Sequence, residues 1–320
     1  MRVFYRFLFG VGLLLVLTVG TALVLSWAPD RSVEELSARW APPPSEFVRI
    51  GGMRVHLRDE GPRKGTTPIV LLHGTSASLH TWDGWTEGLR DERRVIRFDL
   101  PGFGLTGPTP DGVYRVGRYV ETVVALLDRL GVRRAILAGN SFGGQVAWQT
   151  ALAHPQRVAA LVLVDAVGYP MAPQEIPIGF RVARSKWLAP LMRVTLPRGF
   201  IDSSVRNVYG DPTKVTPELV DRYYELTLRA GNREALRERF VQAQAGPGAE
   251  RIRELTQPTL ILWGGRDRLI PPADGERFAR DIAGSELVVF DDLGHVPHEE
   301  DPARTLAAVQ AFLQRVGERR

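Results

Sequence analysis

Ten residues constrain this chain more than any others: ILAGNSFGGQ, from Ile136 to Gln145. An apolar run ends at Gly139, Ser141 follows within a tight glycine-bounded turn, and QVAWQTALAHP then takes helical spacing. A chain that leaves a strand, turns this sharply and enters a helix crowds its own backbone, which glycine tolerates. The serine hydroxyl is then presented above the end of a sheet. The first N–H groups of the following helix, unpaired and at a positive dipole end, lie beside it.

The rest of the chain supplies such a sheet. FVRIGGMRVHLRDEG has two β-rich runs around Gly51 and Gly52, which predicts a hairpin. PIVLLHG, RVIRFDLPG, RAILAG, VAALVLVDA and PTLILWGG are short apolar runs ended by turn residues, suited to strands buried on both faces of a parallel sheet. Between Val116 and Leu130 apolar residues recur with helical spacing until Gly131. Strands alternating with helices predict βαβ units and a doubly wound sheet. From Tyr169 to about Thr256 no strand pattern appears, only amphipathic stretches broken by prolines. That interval predicts a helical cap, 170–256, inserted into a core formed by 46–169 and 257–320.

The N-terminus differs. Phe7 to Ala28 holds no charged residue, and this run exceeds the apolar stretch of an ordinary cleaved leader. About 20 apolar residues cross a bilayer core, so 1–28 is expected to be a signal anchor. Arg2 and Arg6 put its start in the cytoplasm, leaving the body on the outer, periplasmic side of a bacterial membrane. Residues 29–45 are expected to be a spacer with a short helical piece around Val33 to Arg39. With no cysteine, disulfides and thiolate chemistry are excluded. The net charge of +5 comes from arginines scattered among acids, not from the patch that nucleic-acid binding wants.

A serine hydroxyl attacks only when a base takes its proton. His295, in DDLGHVPHEEDP after the apolar run LVVF, is the expected base, with His298 as its neighbour and rival. His154 reads as a helix-end residue and His56 as part of a strand. A carboxylate must hold the imidazole. Asp267, just after LILW, is preferred, with Asp165 at the end of LVLVD as the alternative. The backbone N–H groups of Thr75, in LLHGTSAS, and of Phe142 are the expected oxyanion donors. His73 and the DLPGFG segment are expected to shape loops.

Ser141, Asp267 and His295 occur in the chain order of the α/β-hydrolase triad. HGTSAS, DLPGFG, GNSFGG, GGRDRLIP and GHVPHEEDP match that pattern in position, so the sequence resembles the α/β-hydrolase superfamily over about Glu46 to Val316. The resemblance implies an α/β-hydrolase fold, with a mostly parallel doubly wound sheet and an inserted helical cap. Here an N-terminal transmembrane helix precedes it. GNSFGG resembles the C–C bond hydrolases of aromatic ring-cleavage pathways. HGTSASLH lacks the glycine-rich loop those enzymes carry, and an anchor suits poorly a pathway of cytoplasmic intermediates. The expectation is therefore hydrolysis of a small-molecule ester, with acyl lipid as one candidate, through an acyl-serine. Ring-cleavage C–C hydrolysis and a non-catalytic binding protein on the same scaffold are the alternatives. No metal, organic cofactor or obligate protein partner is implied. Five cations in the cap (Arg181, Arg184, Lys186, Arg193, Arg198) are expected to form a solvated face or, alternatively, to rest on anionic lipid headgroups.

Overall fold

The computed structural model describes residues 2–170, 193–243 and 248–318. Strands β1 (Glu46–Ile50) and β2 (Met53–Glu60) form the expected hairpin around Gly51 and Gly52, which sit at φ +55° and +80°. Then come β3 (Ile69–Leu72), β4 (Val95–Phe98), β5 (Ala135–Asn140), β6 (Val158–Val164), β7 (Thr259–Gly264) and β8 (Glu286–Phe290). One eight-stranded sheet results, ordered β1-β2-β4-β3-β5-β6-β7-β8. Only β2 runs antiparallel to its neighbours; the pairs from β4 to β8 are all parallel.

Alternation along the strands explains why both faces are covered. Val70 and Leu72 pack with Val123, Leu127 and Trp148, from helices Val116–Arg129 and Phe142–Ala153. Ile69 and Leu71 turn the other way, onto Trp82, Trp85 and Val309. Burying each such side chain contributes about 1.5–3 kcal/mol, so neither helical layer is dispensable. After β3 the chain steps outward to β4, then crosses back to β5 on β3's other flank. The loops after β3 and β5 therefore open side by side at the carboxyl end, where open α/β sheets place ligands.

In chain order the helices are α1 (Arg2–Leu25), α2 (Val33–Trp40), α3 (Asp83–Leu89), α4 (Val116–Arg129), α5 (Phe142–Ala153), α6 (Arg198–Val208), α7 (Pro217–Thr227), α8 (Asn232–Gln242), α9 (Pro272–Asp281), α10 (Pro297–Glu300) and α11 (Pro302–Glu318). Among the described residues between β6 and β7 there is no strand. Helices α6 to α8 belong to the inserted helical cap.

Within α1, Phe4–Leu25 has mean hydropathy 2.5 and is unburied. Its 22 residues make a helix of about 33 Å, long enough by length and composition to cross a membrane. The short helical piece expected within 29–45 is α2, and this segment makes specific contacts with the body. Ala28 N–H donates to Val194 O (2.8 Å), Arg31 N–H to Leu228 O (2.7 Å), and Ala230 N–H back to Arg31 O (2.9 Å). Helix α2 buries Leu36 against Leu105 and Leu226, and Trp40 Nε1–H donates to Glu225 (2.6 Å). The segment thus docks on the helices between β6 and β7. Of the five cap cations, Arg181, Arg184 and Lys186 lie outside the described residues. Arg193 pairs with Glu234 (3.2 Å) and Arg198 with Asp221 (2.6 Å), both at the surface, where such pairs contribute little.

Candidate active site

Ser141 sits between the end of β5 and the start of α5 with φ +55°, a conformation rare for a residue with a side chain. Strain of this kind costs about 1–3 kcal/mol and must be held in place by the surroundings. Two glycines make it feasible. A Cβ on Gly139 would lie 2.3 Å from the Gly143 carbonyl oxygen, and one on Gly143 would lie 2.2 Å from that of Leu72. The turn is tied to β6 by Ser141 N–H to Val164 O (2.9 Å), and Val167 N–H donates to Ser141 O (3.0 Å).

The residue before the serine reaches the candidate base. Asn140 Nδ2 donates to the backbone carbonyls of His295 (2.9 Å) and Val164 (3.2 Å), so the elbow and the His295 loop are fastened together. His295 is buried, and its Nδ1–H donates to Asp267 Oδ2 at 2.6 Å. Asp267 Oδ1 accepts from the N–H groups of Leu269 (2.7 Å) and Ile270 (3.0 Å). With one oxygen held by backbone and the other by the imidazole, the carboxylate fixes the ring and leaves Nε2 free to accept a proton. Glu300, buried, holds the same loop by accepting from the N–H groups of Gly210, Asp211 and Gly294, each at 2.8 Å.

Asp165, the alternative acid, lies behind this pair. It too has a positive φ (+44°), and its Oδ1 accepts from Gly264 N–H (2.9 Å). Its Oδ2 has no partner among the described residues. Burial, then the adjacent Asp267 charge, holds the Asp165 carboxyl well above the usual carboxylate range. Ligand atoms of Asp165, Asp267 and His295 lie within 4.8 Å of one another. The direct 2.6 Å contact between His295 and Asp267 makes this a hydrogen-bonded set without space for an ion between them.

On the other side of the serine, Gly74 approaches so closely that a Cβ there would lie 3.2 Å from Ser141 Cβ. The peptide before Thr75 is pinned by His73: Leu100 N–H donates to its Nε2 (2.9 Å) and its Nδ1–H donates to Gly74 O (2.7 Å). Asp99 accepts from the N–H groups of Leu79 and Leu105 (2.8 Å each) and from His56 Nδ1–H (2.7 Å). These residues shape loops, as the sequence suggests for His73 and DLPGFG. His298 stacks on Trp82, ring centroids 4.0 Å apart, with Nε2 beside Thr81 Oγ1 (3.1 Å). His154 caps the far end of α5.

Burial lowers the pKa of His73, His298 and His80, the last to about 3. A native state that keeps these rings neutral loses stability as pH falls below 6.5, because the unfolded chain takes up protons the folded one refuses. Asp165 has the opposite sign, since its carboxyl is held above the 3.8 of the unfolded chain. The three histidines outweigh the one acid, so unfolding free energy is expected to fall as pH is lowered from 7 toward 5. Denaturant midpoints of the detergent-solubilised chain at pH 7 and pH 5 check this. A flat profile would mean the histidines are charged inside.

Sequence reasoning passed over Asn140, Glu300 and one cation. Arg239, on α8, is buried with its Cζ 3.8 Å from the Phe142 ring centroid, directly beside the serine turn. Only Asn140 carried a signal, as a polar residue within the elbow.

Comparison with known proteins places this geometry. Residues 67–302 match the family described as alpha/beta hydrolase fold. The chain is 33% identical over 279 residues to 2-hydroxy-6-oxo-2,4-heptadienoate hydrolase of Pseudomonas putida (strain ATCC 700007 / DSM 6899 / JCM 31910 / BCRC 17059 / LMG 24140 / F1), spanning 83% of this chain and 95% of that one. A crystal structure of a meta-cleavage product hydrolase mutant is similar with TM-score 0.73 and 27% identity, covering 84% of this chain and 98% of that one. A membrane phospholipase A, called a novel bacterial virulence factor, is similar with TM-score 0.73 and 27% identity over 98% of this chain and 99% of its own, a span that takes in most of α1.

Proposed function

The chain belongs to the alpha/beta hydrolase family, and from that membership we propose that it hydrolyses a carbon–carbon bond in a ring-cleavage product, a 2-hydroxy-6-oxo dienoate. The observation that carries this is the likeness to such a hydrolase along 95% of that enzyme's length. Ester hydrolysis, expected from the loop after Gly74 and the apolar N-terminus, is overturned by it. The serine turn and the histidine–aspartate pair serve either reaction, and the likeness to the Pseudomonas putida hydrolase supports the carbon–carbon reading.

Each residue has a role in that reaction. The ketone form of the substrate offers Ser141 a carbonyl carbon. His295 Nε2 takes the hydroxyl proton as Oγ bonds to that carbon, and Asp267 stabilises the resulting imidazolium. The Thr75 and Phe142 N–H groups receive the oxyanion. Its collapse breaks the bond to the dienoate side, whose electron pair delocalises onto the conjugated 2-oxo group and is protonated by His295. Water, activated by the same histidine, then frees the acid from the serine. For the seven-carbon substrate named above the products are acetate and a five-carbon 2-hydroxydienoate.

The apolar N-terminal helix serves here as a membrane anchor, with Arg2 and Arg6 on the cytoplasmic side and the catalytic body on the other. The helices described between β6 and β7 serve as the cap over the site.

Full-length protein in detergent is expected to consume the dienoate, read by loss of its conjugated absorbance, with kcat/KM of at least about 10⁴ M⁻¹s⁻¹. p-Nitrophenyl butyrate should be far slower. Brisk turnover of the ester with none of the dienoate would overturn the proposal.

A further inference from the structure

A second serine, away from the elbow, carries a hydroxyl that the reaction above leaves unused. Ser45 lies between α2 and β1, half-buried, with Pro42, Pro43, Pro44 and Glu46 exposed around it. Its N–H donates to Pro42 O (3.0 Å), which closes the turn. Its Oγ stands 2.9 Å from His56 Nε2, and the other nitrogen of that ring, Nδ1, donates to Asp99 Oδ2 at 2.7 Å. Ser45 and His56 are 11 residues apart, and His56 and Asp99 are 43 apart, so the pairing of β2 with β4 brings the three together.

The protons of this chain of groups have a definite placement. Burial opposes a charge on Asp99, yet the His56 imidazole beside it holds the carboxyl well below the usual carboxylate range. A carboxylate only accepts, so His56 Nδ1 carries a proton. In the neutral ring Nε2 is then bare and accepts from the Ser45 hydroxyl. On the other side of that oxygen, Arg58 Nε–H donates to Ser45 Oγ (2.9 Å), which sets a cation where an alkoxide would form. The ring cannot turn away. It is fully buried, its backbone N–H donates to Thr106 Oγ1 (3.0 Å), and Phe47 stacks on it with centroids 5.1 Å apart. A hydrogen bond that only holds a turn needs neither a base nor a carboxylate behind it. Hydroxyl, base, carboxylate and adjacent cation together are what activates a serine.

We propose that Ser45 is a second nucleophilic serine, with His56 as its base, and that it accepts acyl groups from activated aryl esters. Ser45 Oγ bonds to the ester carbonyl carbon while His56 Nε2 takes the hydroxyl proton. Asp99 stabilises the imidazolium, and the Arg58 guanidinium faces the oxyanion. Collapse breaks the bond to the aryl oxygen, which takes the proton from His56 and departs as the phenol. The acyl group remains on Ser45, a covalent mark on the segment that joins the apolar helix to the sheet.

The full-length Ser141→Ala protein in detergent, treated with p-nitrophenyl acetate and digested for mass spectrometry, tests this with the elbow silenced. Acetyl should accumulate on Ser45 roughly a hundredfold faster than on Ser203, an exposed serine of α6. His56→Gln keeps a polar group against Asp99 but offers Ser45 no base, so it should bring the two rates together. Should that variant fail to fold, the Ser141→Ala protein unfolded in urea carries the test, and its Ser45 should react no faster than its Ser203. A native Ser45 that stays unmodified, or that reacts no faster than Ser203, overturns the proposal. So does a folded His56→Gln protein that acetylates Ser45 at the unsubstituted rate, or a urea-unfolded chain in which Ser45 keeps its lead. Ser141 takes no part in the experiment, so its failure leaves the carbon–carbon reaction standing, and failure of that reaction leaves Ser45 untouched.

Discussion

Ser141→Ala is expected to lower kcat on the ring-cleavage dienoate by about ten-thousand-fold or more, with little change in KM. The variant removes one oxygen from a half-buried position whose strained φ of +55° is imposed by the hydrogen bonds of Ser141 and Val167 with Val164 and the turn itself. Alanine meets the same backbone cost as serine, so Tm should hold and the loss can be read as chemistry. His295→Ala should cost a similar factor. The double variant should be no worse than either alone, because a nucleophile and its base act as one unit. Single-turnover absorbance measurements would show substrate bound but not cleaved. A Ser141→Ala protein that still cleaves within tenfold of wild type would mean that water, not the serine, attacks the ketone.

Much of this arrangement is legible from the residues alone, for a physical reason. Parallel strands buried on both faces must be nearly all apolar, so PIVLLHG and VAALVLVDA announce themselves. An elbow at positive φ needs small neighbours, so its glycines are visible too. Other features leave no such trace. The docking of residues 26–31 on the chain near Val194 and Leu228 uses backbone hydrogen bonds, which any sequence can form, joined by Asp30 pairing with Arg233 (2.6 Å), a contact that neither residue's neighbourhood in sequence foretells. In NREALRERFVQ, Arg233, Arg237 and Arg239 look alike, and only the position of α8 over the Phe142 turn buries Arg239 against an aromatic ring. The bond proposed to break was not legible either. A serine, a histidine and an aspartate in this order serve esters and ketones equally, and the loop after Gly74 was a poor guide to which.

The two aspartates near His295 separate most clearly by their response to amide substitution. Asp267→Asn keeps the size of the side chain but replaces the carboxylate on His295 Nδ1, and should lower kcat by about a thousand- to ten-thousand-fold through the wrong tautomer. Asp165→Asn should stay within about threefold at pH 7, since the amide keeps the side chain's size and the oxygen that accepts from Gly264 N–H, and burial already disfavours the charge it removes. Its effect belongs at higher pH. A carboxyl whose pKa is raised in the fold contributes stability that is complete below the unfolded value of 3.8 and lost as pH rises through the folded value. Ionised Asp165 would then set a second negative charge beside Asp267. The asparagine variant should therefore lose less stability than wild type as pH rises above 3.8, a difference that denaturant titration at pH 4 and pH 8 would read. In the Asp267→Asn background the like charge is gone, so Asp165 ionises more readily and can pair with His295 in its place. The double variant Asp165→Asn/Asp267→Asn should then fall below Asp267→Asn alone. If Asp165→Asn is as damaging as Asp267→Asn at pH 7, Asp165 is the working carboxylate and the roles are reversed.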